Sequence, residues 1–144
     1  MDKRIRMQQG KVIGLGGVFI KFRDPAKMRT WYREVLGLNT NDYGILFRFN
    51  HQLEKPGSLQ LGTFESSSNY FGADSQQVML NFRVENMETL REELSAKGVV
   101  IVNEIESYEY GKFLHIQDPE GNRVELWEPV DEVFENTETF SDMN

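Results

Sequence analysis

The sequence predicts one α+β domain assembled from two copies of a β-α-β-β-β unit, and three observations carry that expectation. The chain has 144 residues, enough for one ordinary core and too few for two. Two well-separated stretches repeat the same strand-to-helix pattern, the kind of internal similarity that fixes architecture. Each is followed by alternating apolar residues and a turn signal, as strands and hairpins require.

In the first copy Val18, Ile20 and Phe22 alternate with other residues at the period of a half-buried strand. Asp24 followed by Pro25 then supplies an N-cap and a first-turn proline, so a helix begins there. Met28, Trp31, Val35 and Leu36 make its apolar stripe, and Gly37 stops it. The second copy uses the same grammar: Leu80, Phe82 and Val84 alternate, Asn86 caps, Met87, Leu90 and Leu94 form the stripe, and Gly98 ends the helix. After the helices, Tyr43-Gly44 leads into Ile45 to Asn50, just as Tyr110-Gly111 leads into Lys112 to Gln117. Asp118-Pro119-Glu120-Gly121-Asn122 is a turn, with proline presetting φ and glycine free to take a positive one, and it makes a hairpin with Arg123 to Trp127. The first copy turns more loosely around Pro56-Gly57 before Ser58 to Gly62, which matches Arg48 with His115 and Gln60 with Glu125. Glu65 to Ser75 joins the halves, and its serine, asparagine and glycine content reads as a plain connector. Tyr70 and Phe71 are large groups for a solvated loop, so a lid is the alternative.

There is no cysteine, which excludes disulfides, thiolate metal sites and cysteine nucleophiles and suits a reducing cytoplasm. Met1 to Gly10 is polar, unlike a secretory signal, and no run approaches the roughly 20 apolar residues of a membrane span. A net formal charge of −7 argues against duplex nucleic acid as a partner. Much of that charge is local, because Asp131, Glu132, Glu135, Glu138 and Asp142 have no basic neighbour in the last stretch of sequence. Such a tail reads as a solvated end, with docking through Phe134 and Phe140 as the alternative.

Phe22-Arg23-Asp24-Pro25 with Trp31 to Leu38, and Asp118 to Trp127, resemble the opening helix and closing hairpin of the vicinal-oxygen-chelate superfamily. That superfamily includes glyoxalase I, bleomycin-resistance proteins, fosfomycin-resistance enzymes and extradiol dioxygenases. The resemblance spans residues 13–129, with modules at about 13–64 and 76–129, an N-terminal extension over 1–12 and an acidic tail over 130–144. It implies a curved mixed sheet, a half-barrel, with helices on its outer face and a site on its concave face. Metal-dependent members place ligands at four inner positions, here Gly17, Gln60, Met79 and Glu125. Of these only Glu125 is a strong ligand, since glycine offers no donor, methionine a soft sulfur and glutamine a neutral carbonyl. A reduced site of Gln60, His115 and Glu125 for nickel, zinc, manganese or iron is the most that the resemblance allows.

Residues two apart on a strand share a side, so the inner face can be enumerated. If Val18, Ile20 and Phe22 face the helix, then Gly17, Phe19 and Lys21 face the cavity, as do Met79, Asn81 and Arg83 in the second copy. The hairpins add Leu46, Arg48, Gln60, Phe113, His115, Glu125 and Trp127. The expected ligand-binding set is therefore Phe19, Lys21, Arg48, Gln60, Asn81, Arg83, Phe113 and Trp127, an aromatic wall with an excess of bases that favours an anionic small molecule. The bland alternative has those bases snorkelling to solvent from strand ends. Glu125, flanked by Val124 and Leu126 in a strand expected at the sheet centre, is the candidate general base, and His115 the candidate proton shuttle. The alternative for Glu125 is a simple ion pair with Arg48 or Arg83.

Two main functions follow from the resemblance, with a metal-dependent resistance transferase of the fosfomycin type as a third that would need histidines absent here. One is metal-free binding of a small organic molecule between aromatic walls, as in bleomycin-resistance proteins. The other is a lyase or isomerase of glyoxalase I type using Glu125 as base or metal ligand. The resemblance also implies a homodimer, because the superfamily commonly pairs its modules between short chains.

Overall fold

The computed structural model describes residues 10–48, 57–135 and 141–142, with residues 134, 135, 141 and 142 described as backbone alone. His51, Pro56 and the side chains of Phe134 and Phe140 lie outside the described residues. Strand β1 (Lys11–Phe22) leads into helix α1 (Pro25–Leu36), then β2 (Gly44–Arg48) and β3 (Ser58–Glu65). The second half runs β4 (Val78–Glu85), α2 (Met87–Ala96), β5 (Val100–Ile101), β6 (Glu106–Tyr108), β7 (Gly111–Gln117) and β8 (Arg123–Pro129). A short α3 (Glu132–Glu135) and β9 (Ser141–Asp142) follow.

One curved mixed sheet takes the order β5-β7-β8-β4-β1-β3-β2-β9, with β6 also on β7. The halves meet at its centre, where β1 and β4 run antiparallel, with Gly17 opposite Asn81 and Phe19 opposite Met79. On either side the same arrangement recurs, β1 parallel to β3 and β4 parallel to β8, each followed by an antiparallel neighbour. At the edges the symmetry ends. Beyond β7 lies β5 of the same half, whereas beyond β2 lies β9, brought from the far end of the chain.

The turn chemistry acts as the sequence suggests except at Asn86. Asp24 accepts from the Lys27 N–H at 3.0 Å, Pro25 opens α1, and Gly37 closes it at φ 71°. Asp118 Oδ1 gathers the Glu120 and Asn122 amides at 2.9 Å, while Gly121 takes φ 85°. Asn86 occupies the cap position of α2 but its side chain does not cap. The Met87 amide instead donates to Glu128 Oε1 at 2.8 Å, so strand β8 supplies the acceptor.

The two helices pack differently. Met87 and Leu90 of α2 are buried on Val84, Leu114 and Leu126, with Phe82, Leu94, Ile116 and Val124 around them. Each such side chain contributes about 1.5–3 kcal/mol on leaving water. In α1 the expected stripe is not covered: Trp31 is 45% exposed, Val35 60% and Leu36 54%. Its side chains reach the sheet through a polar contact instead, Arg29 Nη1 donating to Thr63 Oγ1 at 2.8 Å.

Candidate functional site

Strand alternation sorts the second half into two faces. Phe82, Val84, Leu114, Ile116, Val124 and Leu126 join the cluster under α2, which turns Asn81, Arg83, Phe113, His115, Glu125 and Trp127 to the concave side. Register then sets His115 opposite Glu125 on β7 and β8, and Glu125 beside Asn81 on β4. Glu125 ends 1% exposed, with every close partner a hydrogen-bond donor. Asn81 Nδ2 donates to Oε1 at 2.7 Å, while Oε2 takes His115 Nε2 at 2.8 Å and the Tyr70 hydroxyl. This carboxylate partner assigns the His115 proton to Nε2, leaving Nδ1 as an acceptor in the neutral ring. Nδ1 is buried with no hydrogen-bond partner, as is Asn81 Oδ1.

Tyr70 comes from the connector between the halves, which is not the solvated linker that its composition suggests. Turns closed by Ser68 N–H to Glu65 O and Gly72 N–H to Asn69 O fold it inward, and Gln76 pins it by exchanging two 2.8 Å bonds with the Arg123 backbone. Phe71 is wholly buried with Phe19, Met79 and Phe64. Tyr70 stacks on Phe64 at 5.6 Å and meets the His115 ring edge-on at 4.7 Å. Burial first, and then the adjacent Glu125 carboxylate, raise the Tyr70 phenol well above its ordinary value of 10. Tyr70 therefore stays a proton donor to Glu125 at any physiological pH.

Beside this cluster lies a half-open cavity of about 330 Å³ lined by Asn69, Tyr70, Asn103, Glu106, Phe113, His115 and Arg123. That is the small end of the roughly 300–1,000 Å³ range of ligand pockets. Phe113 and His115 were legible from alternation. Arg123, two residues before Glu125 on the same face, was equally accessible to it. Asn69 and Tyr70 sit in a segment without periodicity, where the one signal was the pair of bulky aromatics among serines and glycines.

The remaining candidates are distributed around this centre. Lys21 is 6% exposed beneath Phe71, its ammonium 5.2 Å from the ring centroid and without a hydrogen bond. Arg83 is also buried, donating to Ser58 O at 2.8 Å, lying 5.2 Å over the Trp127 ring and pairing with Asp131. Neither base snorkels, since one is roofed by Phe71 and the other is met by a carboxylate. Nor does Glu125 pair with an arginine. Arg48 and Leu46 stand on β2 in the other half, where Leu46, not Arg48, is opposite Gln60 as His115 is opposite Glu125. Gln60 shares the register of Gly17, and Phe19 is packed against Met79.

The four positions that the resemblance assigns to a metal do not fit one. Gly17 has no donor, Met79 is buried among aromatics, Gln60 offers one neutral carbonyl, and Glu125 already serves three donors. Among the described residues no three His, Cys, Asp or Glu side chains converge as an ion would require. The half-repeat registers explain part of this: Gln60 aligns with Gly17, whereas Glu125 aligns with Asn81 instead of Met79.

The family model of the Glyoxalase/Bleomycin resistance protein/Dioxygenase superfamily matches residues 14–126. No curated protein matches. Among solved structures, a methylmalonyl-CoA epimerase from Streptomyces coelicolor is 14% identical with a TM-score of 0.65, over 83% of this chain and 99% of that one. The methylmalonyl-CoA epimerase from Mycobacterium tuberculosis is 22% identical with a TM-score of 0.59, over 86% and 93%. A catechol 2,3-dioxygenase is 14% identical with a TM-score of 0.52, over 93% of this chain but 47% of that one. At these identities the likeness is one of fold.

Proposed function

The chain belongs to the Glyoxalase/Bleomycin resistance protein/Dioxygenase superfamily, and from that premise we propose that it binds a small organic molecule in the cleft over His115 without a metal ion. One observation carries the reading. Glu125, the strong ligand that remains, is sealed from solvent and committed to Tyr70, Asn81 and His115. Using it to coordinate a cation would break three charge-assisted hydrogen bonds, each contributing roughly 1.5–3 kcal/mol. Glu125 acts instead as the anchor that holds His115 Nδ1 and the Tyr70 ring as walls of the cleft. The ligand lies against Phe113 and Tyr70 and presents a hydroxyl or N–H to His115 Nδ1.

A second reading, proton transfer, is favoured by the same pair. A carboxylate holding one imidazole nitrogen leaves the other to accept a proton, so His115 and not Glu125 is the proton acceptor or donor, with Glu125 in a positioning role. The exposed apolar stripe of α1 supports a homodimer in which a second copy covers it.

The test is a screen of small aromatic compounds by protein-observed NMR, with the protein first treated with EDTA. Binding is expected to move the signals of Tyr70, Phe113 and His115 and to be lost in His115→Ala. Binding that appears only when nickel, zinc or manganese is restored overturns the metal-free reading.

A further inference from the structure

The first residues of the acidic tail do not run free into solvent. Immediately after β8 the chain turns back over the concave face, and Asp131 pairs with the buried guanidinium of Arg83, its own side chain 20% exposed. Further on, β9 adds two residues in parallel to β2, at the opposite side of the sheet. The tail thus leaves one half and joins the other.

What Asp131 meets is built as a site. Arg83 lies 5.2 Å over the Trp127 ring, and its second arm donates to the Ser58 carbonyl at 2.8 Å, so the guanidinium is held by protein on two sides and presents one arm to a carboxylate. Trp127 is fixed in turn by its Nε1–H donating to the Tyr110 carbonyl at 3.1 Å. The bare strand β1 makes room for this layer, because a Cβ at Gly16 would collide with Asn81 Oδ1 and stand 3.0 Å from the Trp127 ring. Yet the carboxylate that fills the site is imperfectly served. Asp131 Oδ1 and the Ser58 hydroxyl are both buried without partners, whereas a ligand carboxylate in the place of Asp131 could accept from the Ser58 hydroxyl as well as from the Arg83 arm. The site adjoins the cleft through one ring contact. Trp127 stacks on Phe113, the cleft wall, at 6.0 Å and 10°. Phe113, Trp127 and Arg83 stand on adjacent strands, about 10 Å from first to last at the usual strand spacing.

We propose that Arg83 on its Trp127 platform is a carboxylate-binding subsite of the cleft, and that Asp131 occupies it as an internal competitor that a ligand carboxylate displaces. The inference rests on the small-molecule reading above and names the ligand class: a flat apolar body lying against Phe113, with a carboxylate at the end that reaches Arg83. Displacement lifts the start of the tail from Arg83. Because apparent affinity is reduced by the fraction of time the competent state is present, removing the competitor must tighten binding by the inverse of that fraction.

Calorimetry with 2-naphthoate and its neutral analogue 2-naphthylmethanol separates the possibilities. Asp131→Asn is expected to bind naphthoate at least tenfold more tightly than wild type, while naphthylmethanol changes by less than threefold. Arg83→Gln in the Asp131→Asn background should cancel the gain, and a matching melting profile confirms that both variants are folded. If naphthoate and naphthylmethanol bind wild type and Asp131→Asn alike, the competitor proposal is overturned while the cleft reading stands. Should neither compound bind any variant, both readings fall. Truncation after Val130 serves as the second variant: naphthoate affinity equal to wild type also overturns the proposal.

Discussion

In the second repeat α2 lays Met87 and Leu90 on Leu114 and Leu126, and beneath that cluster the strands turn Asn81, His115 and Glu125 into a closed polar group. In the first, α1 holds Trp31, Val35 and Leu36 in solvent, and the equivalent inner positions carry Gly17, Gln60 and Leu46. An apolar stripe and a glycine after the last turn are common to both helices, so these signals decide whether a helix forms and not what it packs against. Docking depends on the surface opposite, and on the first half the sheet answers α1 with the polar Arg29 to Thr63 bond. The repeat therefore divides its labour, one half supplying a helix-covered core and the site chemistry, the other a lining and a helix whose outer stripe is uncovered.

The largest expected effect breaks that comparison if it fails. Leu126→Ala removes a 2% exposed side chain from the α2 cluster and should cost about 3 kcal/mol in urea unfolding, within the 2–5 range of such truncations. A loss below about 1 kcal/mol would mean the second core is no better packed than the first.

Glu125→Gln comes next. The amide keeps one acceptor but presents a donor where Tyr70, Asn81 or His115 also donates, so a loss of about 2 kcal/mol is expected at neutral pH. The alkaline limb carries a separate signature. Folding raises the Tyr70 pKa, so the unfolded chain releases the phenol proton near 10 while the folded chain holds it; stability is intact below that pH and falls above it. With the Glu125 charge removed the phenol is less raised, and the decline from pH 10 upward, followed by unfolding at successive pH values, should be shallower. An unchanged alkaline slope would detach Tyr70 from Glu125.

Much of this was legible in the residues. Alternation through Leu80, Phe82 and Val84, and through Leu114, Ile116, Val124 and Leu126, put Asn81, Arg83, His115 and Glu125 on one face, because a pleated strand has no other option. Three things were not. Tyr70 and Phe71 lie in a segment with no period, where position comes from turns and from the Gln76 bonds to Arg123, which are long-range and leave no local mark. Asp131 meets Arg83 across 48 residues, a pairing that charge counting cannot see. The match of Arg48 with His115 failed by two residues because aligned sequences do not fix strand register, and pairing sets Leu46 opposite Gln60.

Trp31→Glu sharpens the comparison from the outside. If a second copy covers the α1 stripe, the variant should sediment with half the mass of wild type while losing less than about 1 kcal/mol of monomer stability, since an exposed site has little packing to lose. Equal masses for the two proteins at micromolar concentration would sink the paired reading of this face.

The smallest effect is the most discriminating, because its sign depends on whether α1 is covered. Val35 is the most exposed residue of the stripe, and in a helix its branched Cβ restricts χ1 and costs a few tenths of a kcal/mol against alanine. Val35→Ala placed in the Trp31→Glu background should therefore be neutral or stabilise by up to about 0.5 kcal/mol, because there the side chain has no surface to leave. In the otherwise wild-type chain the same change removes apolar area from whatever the stripe touches and should destabilise at high protein concentration more than at low. Urea unfolding of both forms at two concentrations reads the difference directly. A cost above 1 kcal/mol in the Trp31→Glu background would show that α1 is packed within its own chain after all, and the contrast between the two repeats would close.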